Sequence, residues 1–399
     1  MDTQELHAWL RLSISDGIGP SAGRKLLSAF GLPQLIFEQS KTALEQVVTP
    51  LQAAALHNPP TELPDLCIAT QRWLETPTST QGVERRIIAL GDDLYPASLL
   101  QTEDPPLLLY FLGVIAIWSE FAMQLKASAL PNAIAIVGAR NPTPQGVQNA
   151  HSFAKSFSQA GWGVVSGMAL GIDAAAHMGA LDGGSPTFAI VGTGLDRVYP
   201  KAHHELAHRI SQAGAMLSEF PIGTPPLSHN FPRRNRVISA LSQGTLVVEA
   251  AVKSGSLITA RMANEQGKEV FAIPGSIHSP LSRGCHLLIR QGAKLVESAQ
   301  DVLEELRPTI APVVSSGRKK NIKKIATNDH MTLTFDEFSS KSPQTVLLQS
   351  LGHDPVSLDA LIARTGLNAP HLQAQLMELE LEGLVSRLPG GLFARLVQG

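Results

Sequence analysis

Charge is scarce in this sequence. Asp, Glu, Lys and Arg make up 17% of it, against about a quarter in an ordinary globular chain. The signs also cancel, with 32 Lys and Arg against 34 Asp and Glu, a formal net charge of −2. That excludes a chain that binds polyanions through its overall charge, but not a local basic patch. Aromatic residues are 5% of the chain, too few for extended base-stacking platforms. The two cysteines, Cys67 and Cys285, lie far apart and outside any CxxC. Neither a disulfide framework nor a zinc site follows, and both are expected to be buried thiols. The longest apolar runs, such as 105–117, are too short to cross a bilayer. The opening Met1-Asp2-Thr3-Gln4-Glu5 lacks the basic start of a secretory signal. The expected location is a reducing cytoplasm.

What is present is a sizeable core. Hydrophobic residues are 44% of 399, enough for two to four domains at roughly 100–200 residues each. Residues 1–80 read as helical. Leu6 to Ile14 has helical apolar spacing, Gly17-Ile18-Gly19-Pro20 makes a turn, and Leu26, Leu27 and Phe30 share the face of a second helix. This is the pattern of a SAM or helix-hairpin-helix-like domain, in which glycines either admit a phosphate or simply tighten the turn.

Over 85–307, short β runs alternate with helical segments. Strands are expected over 107–112, 134–137, 163–166, 187–191, 215–218, 245–248 and 270–273. These runs do not alternate with polar residues, so both sheet faces should be buried. That predicts an α/β fold, a Rossmann-like doubly wound parallel sheet. Residues 308–342 change character. They contain Arg318-Lys319-Lys320-Asn321-Ile322-Lys323-Lys324 and few large apolar residues, and read as a flexible basic linker. Residues 343–397 resemble a winged helix: helices over 344–351, 358–363 and 369–381, then wing strands over 384–388 and 392–396. The third helix carries Glu378, Glu380 and Glu382 but no Lys or Arg. A helix that reads a major groove needs basic or amide contacts, so this tail is expected to be a protein-contact or dimer-modulating module instead.

In a doubly wound sheet, ligands sit beyond the carboxyl ends of the strands. The loops there are glycine-bearing: Gly138-Ala139-Arg140-Asn141-Pro142-Thr143, Ser166-Gly167-Met168-Ala169-Leu170-Gly171-Ile172-Asp173, and Gly192-Thr193-Gly194. Gly138 permits close backbone approach, Arg140 supplies a fork of donors, and Thr143-Pro144 opens a helix where a phosphate would be welcome. The dinucleotide fingerprint GxGxxG is absent. The densest charge is Phe231-Pro232-Arg233-Arg234-Asn235-Arg236, with no acidic residue nearby in sequence. Three arginines at a helix start suit a phosphate. Lys253-Ser254-Gly255-Ser256-Leu257-Ile258-Thr259 and Pro274-Gly275-Ser276 complete the edge. Asp173 and His177, four apart on a predicted helix, are expected to make a local hydrogen bond rather than hold a metal.

Signatures of chemistry are missing. The sequence has no GxxxxGK[ST], HExxH or GxSxG. Glu249, after a central strand, is the best lone carboxylate, and capping explains it as well as catalysis. Donors without a nucleophile–base pair predict binding rather than turnover, with no catalytic residue, metal or cofactor.

Taken in order, these motifs resemble the DprA (Smf) family of DNA-processing proteins over about 85–306. The resemblance implies a domain that binds single-stranded DNA without strong sequence preference. It also implies protection of incoming DNA in natural transformation, loading of the RecA recombinase, and a homodimer. By motif, Gly138 and Arg140 would line a phosphate pocket, with Ser166 and Gly167 as donors beside it. Arg233, Arg234 and Arg236 would form a basic rim, Asn235 a polar contact, and Phe231 a base-stacking ring or a buried anchor. Lys253, Gly255, Ser256, Thr259 and Gly275 would extend the DNA-binding edge. Leu170 departs from the pattern, since some members carry Arg there. Two other readings compete. One is a phosphoribohydrolase-like nucleotide-processing enzyme, whose PGGxGTxxE signature is only faintly echoed by Gly244-Thr245-Leu246-Val247-Val248-Glu249. The other is a scaffold that recruits a recombinase without holding DNA.

Overall fold

A computed structural model describes residues 1–78, 80–126, 132–306, 347–348, 350–351, 355–388 and 391–396. The expected linker 308–342 and the start of the helix over 344–351 lie outside the described residues. The chain forms two compact units, Met1–Leu306 and Arg307–Gly399. Among the described residues, no helix is long and apolar enough to cross a membrane.

The first unit begins with six helices: α1 (Thr3–Ile14), α2 (Pro20–Phe30), α3 (Pro33–Phe37), α4 (Lys41–Leu44), α5 (Pro50–His57) and α6 (Leu63–Glu75). Asp2 caps α1 by accepting the Glu5 amide at 2.8 Å. The turn into α2 places Gly17 at φ +72°, in the left-handed region that favours glycine. The Gln52 side-chain amide closes that turn on the Gly17 carbonyl at 2.8 Å. The helices do not form a core of their own. Leu10, Leu26, Leu56 and Trp73 share one buried cluster with Leu108 and Tyr110 of the sheet, and Trp73 meets Tyr110 edge-on at 6.1 Å. The boundary expected near residue 80 therefore falls inside a single compact unit.

The sheet has nine strands: β1 (Val83–Ala89), β2 (Leu108–Val114), β3 (Ala133–Val137), β4 (Gly163–Ser166), β5 (Thr187–Ile190), β6 (Ala215–Ser218), β7 (Gly244–Val247), β8 (Glu269–Ala272) and β9 (Lys294–Leu295). Between them run α7 (Ile115–Lys126), α8 (Pro144–Gln159), α9 (Ile172–Gly183), α10 (His204–Ala213), α11 (Asn230–Ala240), α12 (Ser256–Glu265) and α13 (Arg283–Arg290), and α14 (Ala299–Leu306) follows. The spatial order is β1-β2-β6-β5-β4-β3-β7-β8-β9. The segment from β3 to β9 is parallel throughout, as the non-alternating runs predict. Every residue of β3 to β7 is buried.

One expectation is corrected. The strand over 107–112 does not join the parallel set; it is β2, antiparallel both to β6 and to a strand that composition concealed, β1. Glu84, Arg85 and Arg86 interrupt the apolar run of β1. They are tolerated because β1 is the sheet edge, where charge also discourages pairing with another chain.

The second unit contains β10 (Val356–Ser357), α15 (Leu358–Thr365), α16 (Ala369–Leu381), β11 (Val385–Leu388) and β12 (Leu392–Arg395). Its three strands are antiparallel in the order β10-β12-β11, the arrangement of a winged helix. Ser357 caps α15 through the Ala360 amide at 3.3 Å, and Asn368 caps α16 through the His371 amide at 3.0 Å. Leu361, Leu372, Leu376, Leu379 and Phe393 form its core.

Candidate nucleic-acid interface

The chain leaves β3, builds β4, β5 and β6 to one side, then returns to place β7 on the other. The crevice beyond the carboxyl ends of β3 and β7 is thus the topological switch point of the sheet. A cavity of about 410 Å³ lies there, lined by Gly138, Arg140, Phe231, Arg234, Asn235, Gly255, Ser256 and Thr259 among others. A smaller one of about 70 Å³ adjoins it, lined by Leu170, Val191, Gly192, Thr193 and Tyr199. Arg140, Phe231 and Arg234 line both.

Arg140 is exposed. Its guanidinium stands 5.5 Å from the centre of the Phe231 ring, within cation–π range. Among the described residues it has no hydrogen bond or ion pair. The Tyr199 ring lies 5.7 Å from Phe231 with 33° between the planes. Gly192 makes room for this row, because a Cβ there would fall 2.9 Å from the Phe231 ring. Tyr199 is 45% exposed, and the sequence reading missed it. It belongs to no motif there, and only the loop after β5 brings it to Phe231.

Arg234 is buried. It donates to the Gly167 carbonyl at 2.7 Å, to the Ile190 carbonyl and to Asn235 Oδ1 at 3.1 Å. Burial lowers its pKa to about 10, against the pull of Asp173. A Cβ at Gly167 would lie 2.5 Å from this guanidinium, so glycine is needed for the arginine to enter. Asp173 accepts the amides of Gly167 at 3.1 Å and Ala169 at 3.3 Å. Met168 stands between those amides at φ +55°, a turn that aims both N–H groups at one carboxylate. Burial pushes the Asp173 carboxyl up, opposed by Arg234 and by the two amides.

The β4–α9 loop was expected to offer its amides to a phosphate, but Asp173 already takes those of Gly167 and Ala169. Ser166 is likewise occupied beneath the crevice, donating to the Ile136 carbonyl at 2.6 Å. Asp173 does not bond His177. Thr187 donates its hydroxyl to the Val164 carbonyl at 2.9 Å, so it accepts from His177 Nδ1 at 2.7 Å.

The three-arginine rim is also redistributed. Arg236 is buried in an ion pair with Glu219, with Asp104 Oδ2 at 3.2 Å, and donates to the Asp104 carbonyl at 2.6 Å. Arg233 is half-exposed, 3.5 Å from the same Glu219. Being three apart on α11, the two share a face, and that face turns to Glu219. Arg234 alone of the three lines the crevice. The acidic partners absent from the local sequence arrive from the loops around β2 and β6.

Asn235 reaches the Gly255 carbonyl at 3.4 Å and ties α11 to the start of α12. Lys253 is exposed and lines a separate groove of about 640 Å³ with Arg261 and Leu287. Gly275 lies in the β8–α13 loop, where His286 Nε2 holds its carbonyl at 2.9 Å. Neither lines the crevice. Glu249 proves to be a cap. Its Oε2 accepts the Thr143 amide at 2.9 Å and its Oε1 the Thr143 hydroxyl at 2.6 Å.

Comparison with known proteins places this chain in a family. The family described as DNA recombination-mediator protein A matches residues 86–307, and the DprA winged helix domain matches residues 334–391. Protein Smf of Escherichia coli K12 is 38% identical over 320 residues, covering 80% of this chain and 78% of that protein. DNA processing protein DprA of Streptococcus pneumoniae is 45% identical over 214 residues, covering 54% of this chain and 72% of that protein. The X-ray structure of DNA processing protein A from Streptococcus pneumoniae superposes with a TM-score of 0.62 at 34% identity, covering 76% of this chain and 98% of that one. The chain belongs to the DNA recombination-mediator protein A family.

Proposed function

We propose that this chain binds single-stranded DNA along the carboxyl edge of its sheet. Arg140 holds the phosphodiester backbone, with the buried charge of Arg234 behind it, and a base rests on the Phe231–Tyr199 row. Arg140 carries this reading. It is an exposed cation without an ion pair among the described residues, set over an aromatic ring at the mouth of the switch-point cavity. Asn235, Gly255, Ser256 and Thr259 form the floor of the path, with Gly138, Ser166 and Gly167 shaping it from below. Arg233, Lys253 and Gly275 lie outside the cavity, where they would meet a longer strand.

In this reading the protein shelters incoming DNA during natural transformation and hands it to the RecA recombinase. It works as a cytoplasmic homodimer and catalyses no reaction. Family membership and the Streptococcus pneumoniae relative, named for DNA processing, support the role. Asp173 and Glu249, the carboxylates nearest the switch point, are both held by backbone amides, which favours binding over phosphoribohydrolase chemistry. The acidic helix α16 suits a protein contact better than duplex reading.

The test is a titration of oligo(dT) and of a duplex at about 50 and about 200 mM salt, for the parent and Arg140→Ala. Single strands should bind more tightly than duplex, with log affinity falling by about 0.7 per log salt for each phosphate neutralised. Arg140→Ala should weaken binding about tenfold, or about 1.4 kcal/mol. Duplex preference, or equal binding by the variant, overturns the reading.

A further inference from the structure

The helix start that would receive a phosphate in this fold already holds an anion, and it belongs to the protein. Glu249 leaves the end of β7 across the switch point and puts both carboxylate oxygens on Thr143, the residue that caps α8. Thr143 in turn accepts the Gly146 amide at 3.0 Å. The carboxylate lies so close against the first turn of α8 that a Cβ on Gly146 would fall 2.4 Å from its carbon. Glycine at this position therefore admits the carboxylate. In a nucleotide-binding sheet, helix-start donors of this kind take the phosphate or pyrophosphate of the nucleotide. Here the loop that bears Arg140 ends on a carboxylate instead.

We infer that Glu249 is a specificity determinant: its carboxylate fills the α8 helix start and bars terminal phosphate monoesters, so that the crevice rejects free mononucleotides and takes internal phosphodiesters. This deepens the single-strand reading above and rests on it. Free nucleotides are dianions or more at neutral pH. A fixed carboxylate repels them and denies them the donors they need. A phosphodiester carries one charge and enters from the side of Arg140 and Phe231, where Glu249 does not line the cavity.

The test measures AMP and inorganic phosphate by calorimetry against the full-length parent, Glu249→Ala and Glu249→Gln. The parent should bind neither detectably at millimolar ligand. Glu249→Ala should gain AMP binding by at least tenfold. If Glu249→Ala fails to fold, the isosteric Glu249→Gln decides, since loss of the charge alone should produce a gain. AMP binding by the parent as tight as by the variants overturns the inference, as does a folded variant that gains nothing. An oligo(dT) titration of the parent reports separately on the single-strand reading, so the two failures are distinguishable.

Discussion

The Arg140 guanidinium stands 5.5 Å from the centre of the Phe231 ring; Arg140 reaches that position from the β3–α8 loop and Phe231 from the first turn of α11. Cation and ring should therefore act together. In a double-substitution cycle, Arg140→Ala and Phe231→Ala should show a coupling of about 0.5–1 kcal/mol in oligo(dT) binding. Strictly additive losses would mean that the two contact the strand independently.

Gly192 sets the height of that ring. Gly192→Ala places a methyl group 2.9 Å from it, and relief requires the Phe231 ring to shift. Overpacking of this kind costs about 1–3 kcal/mol. A lowered melting temperature together with several-fold weaker oligo(dT) binding is the expected result. An unchanged melting temperature would show that the ring moves freely.

Arg236 and Arg233 should separate cleanly by stability. Arg236→Ala leaves the Glu219 carboxylate buried without its main partner, a loss of about 3–5 kcal/mol. Arg233 is half-exposed, and its contact to the same carboxylate should be worth less than about 1 kcal/mol. Thermal unfolding of the two single variants compares them directly. Equal melting temperatures would contradict the structural role of Arg236.

His177 predicts acid sensitivity. Burial, with His203 and Arg234 nearby, pushes its pKa down to about 3. Between about pH 6.5 and 3 the unfolded chain binds a proton on this side chain that the folded chain refuses. Stability contributed here is present above that window and falls as pH drops through it, by at most about 1.4 kcal/mol per unit. Urea midpoints at pH 7 and pH 5 should fall further for the parent than for His177→Gln. A parallel fall would assign the acid loss to other groups.

The parallel sheet was legible because its strands are apolar on both faces; β3 to β7 appear at nearly their expected positions. β1 was not, because an edge strand tolerates charges that look like a loop. The winged-helix unit was legible from the order of its short helical and strand segments, a local signal. Within the site, Arg140 and Phe231 were visible as residues, but not as partners.

The sequence by itself determined the order of strands and helices, the glycine loops on one sheet edge and the family they resemble. Those properties follow from local pattern, which the chain carries wherever it folds. Tertiary structure alone decided which donors remain open. Asp173 takes the amides of the β4–α9 loop, Glu249 takes the start of α8, and Glu219 takes Arg236. Each pairing joins separate parts of the fold or depends on burial, where an unpaired charge is too costly to leave alone. The arginines clustered at 233–236 are engaged within the fold, Arg234 on backbone carbonyls and Arg233 and Arg236 at Glu219, and among the described residues Arg140 is the cation left facing outward at the crevice.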